Sequence, residues 1–104
     1  MTAQPYVASY TKNPGPGCTL DYSLDWASWL QHGEVITSAT WTITPQQAAQ
    51  VGDLSVQSGQ VIGGITTAWL TGGVIQCQYI ASCAVVTSMG RSDSRSIFLD
   101  IESR

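Results

Sequence analysis

Apolar and polar residues alternate along most of this chain, and the alternation is interrupted only where turn residues gather. Leu20, Tyr22, Leu24 and Trp26 alternate with Thr19, Asp21, Ser23 and Asp25. A period of two puts each set on its own face of a strand, so the segment predicts a half-buried strand. Thr37, Ala39, Trp41 and Ile43 alternate in the same way with Ser38, Thr40 and Thr42, and Pro45 closes this second strand. Trp41 falls on the inward face and is expected in the core. Further on, Ile75, Cys77, Tyr79, Ala81, Cys83 and Val85 share one parity, as do Ile97, Leu99 and Ile101. A polar, Gly-containing stretch separates the two sets. The span from Trp69 to Arg104 therefore predicts a half-buried β-hairpin, entered through the turn Gly72-Gly73.

The intervening segments carry weaker signals. Trp26, Trp29 and Leu30 follow helical spacing with Asp25 as a cap, which predicts one helical turn ended by His32-Gly33. Gln46 to Gln50 reads as a second short turn of this kind. Leu54 to Val56 and Val61-Ile62 flank Gln57 to Gln60, the pattern of a hairpin. Ile65 to Thr71 forms another strand, with either Ala68 and Leu70 or Trp69 facing inward. Residues 1–17, with Tyr6, Val7 and Tyr10 before Pro14-Gly15-Pro16-Gly17, read as an N-terminal arm or edge strand. We expect Tyr6 to Gly17 to order on assembly. Residues 18–104 form the body. About seven short strands at intervals of roughly ten residues predict an all-β fold, a single immunoglobulin-like antiparallel β-sandwich. Tyr79 suits the tyrosine corner of such sandwiches, and Ala81 stands where an antibody domain has cysteine.

Composition narrows the function more than the fold. The chain has 104 residues, enough for one domain. Charged residues make up 11%, about half the usual ~25%. A sparsely charged surface suits a component covered by neighbours. The net charge is −3, and the four cations, Lys12, Arg91, Arg95 and Arg104, form no basic stripe. Nucleic acid is therefore not an expected partner. Met1 to Tyr6 has neither the basic nor the apolar region of a secretory signal. No apolar run approaches the ~20 residues of a membrane helix, so no membrane partner is expected and the chain reads as soluble and cytosolic in origin. Three cysteines cannot all pair internally. Cys77 and Cys83 lie roughly 20 Å apart along one strand, and reduced thiols are expected.

Catalysis needs a base beside a nucleophile, paired acids or a metal cluster. The lone histidine, His32, sits in a turn with no nucleophile motif around it. The cysteines lack the paired spacing of zinc sites. Asp21 and Asp25 are about 13 Å apart along a strand, beyond the reach of a glycosidase pair. They read as solvated charges that discourage edge pairing. No enzyme activity, cofactor or metal is expected. Four tryptophans in an acidic sandwich leave a carbohydrate- or cell-surface-binding module as the alternative, with Trp29 and Trp69 as its candidate platform. The same two residues are candidate partner anchors. Arg91, Asp93 and Arg95 share the parity of Ile97 to Ile101 yet are charged. This end of the hairpin is expected to project beyond the core, either as a solvated ladder of weak ion pairs or as a strip that docks on a neighbour.

Several pieces together resemble one family. They are Leu20 to Trp26 with Trp29-Leu30, Ile36 to Trp41, Ala68 to Gly73, and Thr87 to Ile97 with its Gly90-Arg91-Ser92-Asp93-Ser94-Arg95 run. In this order and spacing they resemble the small fiber–tail adaptor proteins of tailed bacteriophages. The stretch from Pro45 to Gly59 is loosely matched, and Pro14 to Cys18 has no counterpart in the pattern. The resemblance implies a virion structural protein in the phage tail, made in the host cytoplasm. It implies contacts with a tail or neck ring protein and with a tail fiber or other appendage, in multiple copies per virion. On that reading, Arg91, Asp93, Arg95, Trp29, Trp69, Tyr6 and Tyr10 are the candidate partner contacts.

Overall fold

A computed structural model describes residues 8–15 and 17–102. Seven strands follow in chain order: β1 (Ala8–Lys12), β2 (Leu20–Asp25), β3 (Ile36–Pro45), β4 (Ser55–Ile62), β5 (Ile65–Thr71), β6 (Gln78–Thr87) and β7 (Ser92–Ile101). One sheet has the order β1-β7-β6-β3 and the other β2-β5-β4. Every pairing is antiparallel except that of β1 with β7. The fold is the all-β sandwich that the alternation predicts. Its order matches the B-E-D and C-F-G sheets of an immunoglobulin domain, with the first strand moved to the second sheet.

The alternation works because each sheet has one face against the other. Tyr22, Leu24, Ala68 and Leu70 from one sheet meet Tyr79, Ala81, Cys83, Val85, Ile97, Leu99 and Ile101 from the other, all buried. Trp26, fully buried at the end of β2, is the largest side chain in this core. Its indole Nε1 donates to Thr66 Oγ1 at 3.0 Å. The Cys83 thiol, from the opposite sheet, donates to the same hydroxyl at 3.4 Å. Burial pushes the Cys83 thiol up in pKa, and all three cysteines are free.

One end of the sandwich is closed by Tyr79. Its hydroxyl donates to Asp53 Oδ1 at 2.7 Å and accepts from the Val74 backbone N–H at 3.2 Å. This is the tyrosine corner expected of β6, and it ties the loop at Asp53 to the turn before β6. Lys12 closes the same region from β1. Its fully buried side chain donates to the carbonyls of Asn13 and Gly72 at 3.0 and 2.8 Å. Burial lowers its pKa, and the two carbonyls accept two of the three N–H bonds of an ammonium group that is removed from water.

Four expectations need correction. Trp41 faces inward and packs against the core but is only partly buried, because β3 lies at the edge of its sheet, whereas Trp26, also expected inside, is fully buried. Residues 54–62 do not fold back on themselves. β4 runs through them with a bulge between Val56 and Ser58, and the hairpin turn falls at Gly63-Gly64. Gly63 has φ 61°, and Gly64 is not left-handed, as a two-residue type II′ loop requires. Ile75, 48% exposed, and Cys77 lie in the turn before β6, so the buried alternation begins at Tyr79. Residues 46–50 make no helical turn; Gln46 N–H donates to the Gln78 carbonyl and Gln78 N–H to Gln47 Oε1. Of the two readings of residues 1–17, the edge strand forms over Ala8–Lys12, paired with β7. The single turn from Trp26 to Leu30 does form, with Asp25 Oδ1 accepting from Ala27 N–H at 2.9 Å.

Gly73 shows how tightly the closed end is packed. Its φ is 107°, and an added Cβ would lie 2.8 Å from Ile101 Cδ1. Gly63→Ala meets no neighbour and should cost about 1–2 kcal/mol for its left-handed backbone. Gly73→Ala adds overpacking and should cost about 2–4 kcal/mol in total. Urea unfolding of the two variants checks the difference, and equal losses would contradict the close approach.

Candidate functional site

The other end of the sandwich gathers most of the charged and aromatic residues singled out in the sequence. It is built where the β6–β7 hairpin turn meets the connection between β2 and β3. Trp26 ends β2 and is fixed by its backbone N–H, which donates to the Gly64 carbonyl at 2.8 Å. The helical turn that follows brings Trp29 against it, with ring centroids 5.4 Å apart and planes at 64°. Arg95 lies over the Trp26 ring at 4.2 Å, and Arg91 over the Trp29 ring at 4.3 Å. Two cations therefore cap two edge-to-face indoles. The odd parity of Arg91 and Arg95 has a physical reason. They continue the inward row of Ile97 to Ile101, and their guanidinium groups cover the aromatic end of the core.

Glu34 locks this arrangement. Arg91 Nε donates to Glu34 Oε2 at 2.9 Å, and Arg91 Nη2 to Glu34 Oε1 at 2.6 Å. The same carboxylate accepts from Thr87 Oγ1 at 2.5 Å and from Gln31 N–H at 2.8 Å. Arg91 Nη2 also donates to the Trp29 carbonyl at 2.9 Å. The Glu34 side chain is fully covered. The hydrogen bonds from Arg91, aided by those of Gln31 and Thr87, hold its pKa down to about 2 against the opposing effect of desolvation. Glu34 in turn holds the Arg91 guanidinium protonated. A fork-to-fork ion pair of this kind fixes geometry as well as charge. Val35 N–H donates to Ser88 Oγ, and Ser88 N–H to the Val35 carbonyl, so the turn is also stitched through the backbone.

The sequence-predicted contact residues are thus divided. Arg91, Arg95 and Trp29 meet in one cluster, and their charged and aromatic groups are engaged with one another. Asp93 is exposed beside them, opposite Val85 in the register. Arg91 already occupies one face of Trp29, so that ring offers less to a sugar than the sequence suggested. Trp69 is half-buried on the outer face of the three-stranded sheet, between Asp21 and Ser58. Tyr10 lies on β1, 41% exposed, with its ring 5.0 Å from that of Tyr22. Tyr6 falls outside the described residues.

Three residues that sequence reading passed over surround the braced tip. Val35, Val86 and Met89 are 55%, 45% and 50% exposed. Val35 is bonded to the hairpin turn, Met89 sits in that turn, and Val86 lies just before it on the outer face. The signal was present in parity, since Val86 is out of phase with Val85 and the rest of the buried row.

The acid limb of stability should report the brace. Glu34 has a lower pKa in the folded protein than its ordinary 4.5. Its contribution is therefore complete above about pH 4.5 and is lost as pH falls towards about 2. The urea midpoint of the native chain should fall through that window. In Glu34→Gln the neutral midpoint should be lower and this part of the fall absent. Equal acid slopes in the two proteins would remove Glu34 as the source.

A family model described as podophage GP4 fiber-tail adaptor protein gp77 matches residues 15–100. The match takes in the braced end and both sheets, and leaves β1 outside. No curated protein matches the chain.

Proposed function

We infer that this chain, which belongs to the podophage GP4 fiber-tail adaptor family, is a virion structural protein that joins tail fibers or other appendages to the tail or neck ring. The observation that carries this is the family match over residues 15–100. The role is mechanical. It requires a stiff body and contact surfaces whose geometry does not change under load. The sandwich supplies the body, and its braced tip supplies a candidate surface. Glu34, Arg91 and the two indoles hold the tip, and Val35, Val86 and Met89 present its apolar side chains.

This arrangement supports distinct contact roles for the charged residues. Arg91, Arg95 and Trp29 serve contact by positioning the tip, while Asp93 lies where it can meet a neighbour directly. Trp69 and Tyr10, on other faces, are second-surface candidates, as an adaptor with two neighbours needs. The chain is made in the host cytoplasm and enters the tail in several copies, as expected of a part attached to a ring.

Particles assembled without this chain should carry tails but lack attached fibers or appendages, and adding the purified chain should restore them. Fibers attached normally in its absence would overturn the reading. Met89→Asp should weaken attachment by about tenfold or more while leaving the thermal midpoint unchanged. Electron microscopy of the particles, with binding measured on fiberless tails, provides both readouts.

A further inference from the structure

A strand at a sheet edge exposes unpaired N–H and C=O groups, and proteins that stay single guard such edges with charge, proline or a short length. Among the described residues this sandwich has four edges, β1 and β3 in one sheet and β2 and β4 in the other. They are not guarded alike. β2 carries the exposed Asp21 and Asp25, and β1 is only five residues long. β3 runs for ten residues with no charge, and its one proline is its last residue. β4 runs for eight residues with neither charge nor proline. From Leu54 to Gly90 the chain has no charged residue at all.

β3 and β4 lie on the same side of the molecule and bound a cleft of about 460 Å³, lined by Ala39, Thr40, Trp41, Val56, Gly59 and Val61 among others. The Trp41 ring rests on Gly59, whose added Cβ would stand 3.5 Å from it. Among the described residues, Trp41 Nε1 is buried there with no acceptor. A buried donor left unpaired is costly, and native proteins leave few.

We propose that β3 is a self-pairing edge, through which two copies of this chain join antiparallel about a two-fold axis and extend the four-stranded sheet across both. An antiparallel edge is its own complement under that symmetry. The absence of charge favours a second copy over a charged partner segment. Nothing on β3 repels its own copy, and nothing on it would pair with a partner's charge. With Trp41 on the axis, Thr42 stands opposite Thr40 of the partner subunit, and Thr44 opposite Ser38 of the partner subunit. Ser38, Thr40, Thr42 and Thr44 are all exposed on one face, and cross-strand hydroxyl pairs stabilise a sheet. The inference goes beyond the adaptor role and does not depend on it, because it concerns the edges of the isolated chain.

Light scattering on the purified full chain, over a range of concentrations, tests it without any phage component. The native chain should show twice the chain mass. The double variant Thr40→Lys/Thr42→Lys should show the single mass at the same concentrations, with an unchanged far-UV spectrum. Ser9→Lys, on the edge strand of the opposite side, should keep the doubled mass. Should the double variant not fold, Ser38→Lys near the strand end takes its place with the same expected result. A native chain of single mass at every concentration would overturn the proposal, including one that pairs only with a fiber or tail protein. So would a doubled mass retained with lysines on β3, or one lost equally with lysine on β1.

Discussion

One buried hydroxyl joins the two sheets inside the core. Thr66 Oγ1 accepts from the Trp26 indole in its own sheet and from the Cys83 thiol in the other. In an antibody domain the corresponding region holds a disulfide packed on a tryptophan. Here the tryptophan comes from the end of β2, alanine stands at the cysteine position on β6, and the link between sheets is non-covalent. Each polar atom must therefore find its partner inside the core, since an unpaired one would cost more than the bond gains. Trp26 is held by that hydroxyl at one edge and by Arg95 on one face, and it sets where the aromatic end of the sandwich begins.

Around that link the molecule is closed at both ends by long-range polar contacts. Tyr79 and Asp53 close one end and Glu34 with Arg91 the other. Each spans sequence that local periodicity cannot connect. Three of the four cations do internal work. Lys12 is buried on two carbonyls, Arg91 lies on Trp29 against Glu34, and Arg95 lies on Trp26. Arg104 lies outside the described residues. The low charge content thus reflects both a sheet surface made of Ser and Thr and a set of cations turned inward.

An adaptor of phage tails has to be covered on more than one side, and this surface is suited to it. The tip carries apolar residues on a fixed frame, and one side of the sandwich leaves its edges without charge. Neither feature would serve a freely soluble monomer. Both are what contact with neighbours requires, because burial of apolar side chains and pairing of backbone groups are the contacts that need no opposite charge on the other side.

Much of the fold was legible in the residues themselves. The alternations at Leu20 to Trp26, Thr37 to Ile43 and Tyr79 to Val85 each gave a strand, because the side-chain period of a strand is local. The misreadings lie where local signals are ambiguous. Gly59 looked like a turn residue but accommodates the Trp41 ring within β4, and Trp41 had core parity but lies on an edge strand. The site was legible only in part. The sequence showed that Arg91 and Arg95 break the apolar row they belong to, and it marked the family to which that segment belongs. It did not pair them with Glu34 and two indoles, since Arg91 and Glu34 are 57 positions apart. What the sequence determined by itself was most of the strands, the inward faces of those strands and the family. Which strands became edges, which cations turned inward and which apolar residues were left outside was decided by the tertiary structure, because each depends on what distant segments meet.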